Sequence, residues 1–139
     1  MNAEQEKKLL DFGLLIIRIG LGITFIMHGF PKILGGPQTW EKVGGAMGFI
    51  GINFGFQFWG FMAALSEFAG GILLLIGLFV RGASAFLFIT MAVAAIMHLG
   101  LKHDFKGYAH ALEAGIVFLG LIFTGAGKYD FKFLLKQKS

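Results

Sequence analysis

The chain of 139 residues has no cysteine. This excludes disulfides, thiolate metal sites and covalent c-type haem attachment. It has only two prolines, which excludes collagen-like and linker-like character. Charge is scarce: 14% of residues are Asp, Glu, Lys or Arg, against about 25% in soluble domains. With 56% hydrophobic residues and a mean hydropathy of +0.75, the chain is neither a disordered tail nor an ordinary soluble enzyme. No GxGxxG or GxxxxGK[ST] motif occurs, and no Ser/His/Asp set can be assembled. A net charge of +4 and a pI near 9.5 invite a nucleic-acid reading. The lysines, however, gather at the ends of apolar segments, so no nucleic-acid partner is expected. What the chain has in quantity is glycine, 22 residues, a usage common in membrane helices.

A spanning helix needs about 20 mainly apolar residues. Four segments qualify, at about 10–30, 56–79, 83–101 and 108–125. The runs are continuous and show no period of two, which argues against a β-barrel. Short connections around Val80–Gly82 and Lys102–Lys106 force antiparallel neighbours. The fold expected is therefore an all-α membrane protein, a four-transmembrane-helix bundle forming one domain over 1–139. Lys7 and Lys8 ahead of the first run would suit a signal peptide. No small-x-small site follows Met27, so the segment is expected as a retained span.

Lysine and arginine placement sets the expected orientation. Seven basic residues lie on one side (Lys7, Lys8, Arg81, Lys128, Lys132, Lys136, Lys138) and four on the other (Lys32, Lys42, Lys102, Lys106). Both termini are thus expected in the cytoplasm, with the C-terminal lysines near anionic lipid. In the one long loop, Thr39 is expected to cap a short helix from Trp40 to about Ile50. Val43, Ala46, Met47 and Ile50 give it one apolar face, as in a helix lying at the membrane interface with Trp40 at headgroup depth. A substrate lid is the alternative.

Ile26-Met27-His28 with Lys32 recurs 70 residues later as Ile96-Met97-His98 with Lys102. The stretch around Glu67 resembles that around Glu113. A duplicated helical hairpin would make His28 equivalent to His98, and Glu67 to Glu113.

An ionisable group inside a span costs at least about 2.5–3.5 kcal/mol, so it needs a partner or water. Arg18 and Glu67 are expected to meet as a buried ion pair or proton relay. Small residues at Gly60, Ala63, Ala64, Gly70 and Gly71 let another helix approach the Glu67 face. His28, His98 and His110 should converge at the outer leaflet. Glu113 shares a face with His110 at i, i+3. His28, Lys32, His98, His110 and Glu113 are therefore candidate ligand-binding residues, lining one cavity with Glu67 at its floor. The histidines and Glu113 could hold a Zn, Cu or Fe ion. They could equally hydrogen-bond a quinone, or simply meet water and headgroups. His103 is expected to be solvated in its loop.

The run from Leu14 to Gly22, with Arg18, leading to His28-Gly29-Phe30-Pro31-Lys32 resembles the opening of the DoxX family. Glu67-Phe68-Ala69-Gly70-Gly71, then Gly77-Leu78-Phe79-Val80-Arg81, resembles its second-helix motif. Gly107-Tyr108 through Glu113, and Gly125 to Tyr129, resemble its last helix. The resemblance implies a small four-helix inner-membrane protein of bacteria or archaea. It also implies association with redox systems, including thiosulfate–quinone oxidoreductase, and motif positions at Arg18, His28, Lys32, Glu67 and Arg81. It assigns no catalytic residue. Three functions follow as alternatives: a redox subunit handling quinone or protons beside partner proteins, a metal-handling or small-molecule transport protein, and a membrane scaffold. Glycine-rich faces also permit a homo-oligomer.

Overall fold

The computed structural model describes residues 1–137; Lys138, counted above for orientation, lies outside them. Among the described residues six α-helices form: α1 (Ala3–Leu34), α2 (Gly36–Gly44), α3 (Phe56–Ile76), α4 (Val80–Gly100), α5 (Phe105–Thr124) and α6 (Phe131–Lys136). A 3-10 helix, Gly45–Ile50, follows α2. Four of them, α1, α3, α4 and α5, are long and apolar enough to cross a membrane. Side chains such as Ile23 and Met27 on α1, Phe86 and Ile89 on α4, and Ile116 and Phe123 on α5 point outward, where they meet lipid.

The helix ends differ from the apolar runs for local reasons. Helix α1 starts well before its apolar stretch because Asn2 and Gln5 form a reciprocal capping box, so a polar turn extends the helix. It also runs through Pro31, and the Gly35 amide closes onto the Pro31 carbonyl. Helix α3 stops at Gly77, which takes φ 74°, a conformation open to glycine. Helix α5 begins three residues before its expected start, because the Asp104 side chain accepts from the Gly107 amide. Helix α6 was not foreseen. Asp130 caps it by accepting from the Phe133 amide, and its six residues are too few to register as an apolar run.

Glycines set the packing. On α1 and α3, Gly22 lies against the Gly71 carbonyl, and Gly29 against the Phe68 amide. These pairings run in opposite directions along the two helices, so α1 and α3 are antiparallel. Gly70, beside Gly71, receives the Leu87 side chain of α4. Helix α4 packs in turn on α5, with Met91 beside Gly115. The backbones of α1 and α5 stay apart. The core bridges them with Phe25 edge-on to Phe118 at 4.8 Å, joined by Leu14, Leu74, Leu87 and Leu121.

The long first loop does form a short helix, but Thr39 does not cap it. Pro37 stands in the first turn of α2, and the Thr39 hydroxyl bonds back to the Gly35 carbonyl from inside the helix. Helix α2 lies against the first half of α3. A Cβ on Gly60 would overlap the Trp40 carbonyl, and one on Gly44 the Phe56 carbonyl. The Trp40 indole donates to the Lys32 carbonyl at 2.9 Å and meets Phe61 edge-on. Backbone contact with α3 seats this helix.

Candidate functional site

Two polar centres lie at opposite ends of the bundle. Arg18 sits at the end of the bundle that holds the first turns of α1 and the turn leading into α6. Its guanidinium donates to the Ala126 carbonyl at 2.7 Å and the Tyr129 carbonyl at 2.8 Å, and it passes beside Gly77. One helical face, with Asp11 seven residues earlier, fastens the Gly125–Tyr129 turn. The Asp11 carboxylate accepts from the Lys128 amide at 3.0 Å. Arg81 donates to the Phe123 carbonyl at 3.1 Å in the same region. A planar fork suits two carbonyls at once. Arg18 therefore acts as a clamp on the turn after α5.

Arg18 does not meet Glu67. Antiparallel packing sets Arg18 level with Gly77 and Glu67 level with Gly29. Eleven residues of helix, about 16 Å, separate those levels. The counter-ion of Glu67 is Lys32, whose ammonium lies 2.8 and 2.7 Å from the two carboxylate oxygens. Glu67 is almost fully buried, with a side chain 4% exposed, while that of Lys32 is 34% exposed. The lysine leaves the last turn of α1 and lays its stem along the bundle to reach the acid.

This pair borders a cavity of about 160 Å³ where all four spans converge. Helix α1 contributes Phe25, His28 and Lys32, α3 gives Glu67, α4 gives Met91, Ala94 and His98, and α5 gives Gly107, His110 and Ala111. The His28 and His110 rings stand 5.0 Å apart. Phe25 stacks on His110 at 6.0 Å and lies 5.9 Å from His28. His28 and His110 are exposed at the gap between α1 and α5.

The structure brings His28, Lys32, Glu67, His98 and His110 together, but not Glu113. Glu113 is exposed on the outer side of α5. It is one 60° step around the helix from His110, and that step carries it past the cavity wall. The expected equivalence of Glu67 and Glu113 fails for the same reason. Lys102 offers no counterpart to Lys32, since it lies beyond the end of α4 at φ 57°.

A four-residue metal set of His28, His98, His110 and Glu113 is likewise not assembled. No three His, Cys, Asp or Glu side chains among the described residues converge as ligands. Glu113 faces out, and His98 is engaged elsewhere. Its Nδ1 lies 2.8 Å from Nδ1 of His103, one ring donating and the other accepting. His103 is exposed, as expected, and this contact ties it to the site. The signal lay in the spacing, because a five-residue step across a helix end returns the chain over its last turn. No residue of α2 or of the 3-10 helix lines the cavity, so this segment is a brace and not a lid.

The family model for DoxX matches residues 13–100, which hold Arg18, His28, Lys32, Glu67 and His98. An uncharacterized protein of Haemophilus influenzae is 32% identical over 138 residues, covering 94% of this chain and 97% of its own. Inner membrane protein YqjF of Escherichia coli is 31% identical over 137 residues, covering 95% and 98%. "Putative oxidoreductase CatD" of Bacillus subtilis is 31% identical over 102 residues, covering 73% and 70%. No solved structure matches.

Proposed function

The chain is a multi-pass inner-membrane protein of the DoxX family, and from that premise we propose that it is a small membrane subunit of a redox system, its cavity receiving a quinone headgroup. The observation that carries this reading is the buried Lys32–Glu67 pair opening onto His28, His98 and His110. A relative named for oxidoreductase activity points the same way.

The size fits. A cavity of about 150 Å³ elsewhere holds one benzene ring, and this one has about 160 Å³. A quinone would supply the capacity to take up two electrons and two protons. The protein's own residues would then position it and move protons. The Lys32 ammonium and the His28 imidazole donate hydrogen bonds to carbonyl oxygens, and the His110 ring, stacked on Phe25, borders the ligand. Phe25 gives the ring an apolar wall. Glu67 holds the charge of Lys32, and the His98–His103 contact leads from the cavity to the loop. Electrons come from partner proteins, since the sequence has neither cysteine nor a nucleotide-binding motif.

Both termini are assigned to the cytoplasm. Lys32 is drawn into the bundle by Glu67, so it no longer counts toward the loop side and the basic asymmetry sharpens. The cavity then lies at the outer leaflet.

The test is purification in mild detergent, solvent extraction and mass spectrometry. Quinone should co-purify with the native chain and fall about tenfold or more in His110→Ala and in Lys32→Met/Glu67→Leu. Absence of quinone, or retention unaffected by both variants, overturns the reading. An ion held by His28 and His110 alone would lack a third protein ligand, so the metal alternative has no geometry to support it.

A further inference from the structure

The gap in the site account is Glu113. It is the ninth residue of α5, about 12 Å from the start of a helix about 30 Å long. It is exposed at that depth and makes no hydrogen bond or ion pair among the described residues. An ionisable side chain near the middle of a bilayer faces protein or water, not hydrocarbon. Nothing among the described residues of one copy covers it. The same side of α5 carries Val117 one turn on, and Gly120 seven residues on. A Cβ at Gly120 would meet open space, so a second helix could come close there.

We propose that this face is a homodimer seam. Two copies pack α5 against α5 about a twofold axis along the membrane normal, and Glu113 of each accepts a hydrogen bond from His110 of the other. Three observations single out a second copy as the occupant. The face carries an acid and an imidazole three residues apart, so a twofold axis makes it complementary to itself. Copies inserted the same way present equal depths, with His110 one turn toward the helix start. The rise between the two positions is about 4.5 Å, a distance that the Glu113 and His110 side chains can span between them. His110 is itself exposed at the edge of its own cavity. Each cavity is therefore completed by a carboxylate from the other copy. The dimer does not depend on what the cavity binds.

The chain has no cysteine, so single cysteines report contacts cleanly. Val117→Cys and Gly120→Cys, oxidised in native membranes, should give disulfide-linked dimers. Ile16→Cys on α1 and Phe86→Cys on α4, both exposed, should not. Adding Glu113→Leu to Val117→Cys should lower the dimer yield about tenfold, the scale of two cross-helix polar contacts in a membrane. Co-expressing His110→Ala with Glu113→Ala, each carrying Val117→Cys, should restore dimers above either variant alone. Such a pair keeps one contact between subunits and none within them, and the rescue also shows that both variants fold. The proposal is overturned by cross-linking that is equal at all four positions, by adducts of another mass at 117 and 120, by yields indifferent to Glu113→Leu, or by failed rescue.

Discussion

Lys32 and Glu67 show how one residue's role depends on its neighbour. A buried carboxylate without a partner costs several kcal/mol, and the lysine supplies two short contacts. Lys32→Met should therefore destabilise the protein by about 3 kcal/mol, the lower end of the range for a broken buried pair, because Lys32 is a third exposed. Lys32→Met/Glu67→Leu should cost less than Lys32→Met alone, since it removes the charge as well as its partner. Thermal unfolding in detergent checks both, and equal losses would mean that the pair contributes little. Glutamate in a span announces a buried partner in the sequence, but not which one. The sequence points to Arg18, not Lys32. Only the relative height of α1 and α3 chooses the lysine and leaves the arginine to the Ala126 and Tyr129 carbonyls.

Among the elements, α2 is the one whose placement the sequence concealed. Its apolar positions suit a membrane surface, and nothing local says that Gly44 and Gly60 will meet backbone. Gly60→Ala should push α2 off α3 and cost about 1–3 kcal/mol, as overpacking does. The Trp40 indole should then leave the Lys32 carbonyl, and tryptophan fluorescence should shift to the red. An unchanged spectrum in a stable variant would show that α2 is not seated through this contact. The four spans were legible because a continuous apolar run of sufficient length has few other uses. Their ends were not, because the Asn2 cap, the Gly77 stop and the Asp104 cap act outside hydropathy.

For the whole molecule, four spans put the start of α1 and the turn into α6 at one end, where Asp11 meets the Lys128 amide. The cavity and its histidines lie at the other. Reporter fusions at the C-terminus and within the 31–55 loop should report cytoplasmic and external locations respectively. The reverse result would place the cavity, and any quinone chemistry in it, at the cytoplasmic face. The two ends also divide the polar residues by task. Arg18 and Arg81 fasten backbone carbonyls at the terminal end, whereas His28, Lys32 and Glu67 border the cavity.

The sequence by itself determined the membrane setting, the number of spans, the family and a short list of polar residues. The first two follow from composition and run length, the family from its resemblance motifs, and the polar residues from the cost of leaving them in lipid. It also placed His28, His98 and His110 at one end, because alternating spans return helix ends to the same side. Tertiary structure decided the rest. Whether two residues on different helices meet depends on the vertical register and rotation of those helices, and glycine contacts such as Gly22 on Gly71 and Gly29 on Phe68 set that register. From it come the pairing of Glu67 with Lys32, the release of Arg18 to the Gly125–Tyr129 turn and the capture of His103 by His98. The outward turn of Glu113 has the same origin, because the rotation that points Ala111 and Phe118 into the core carries Glu113 past the cavity wall.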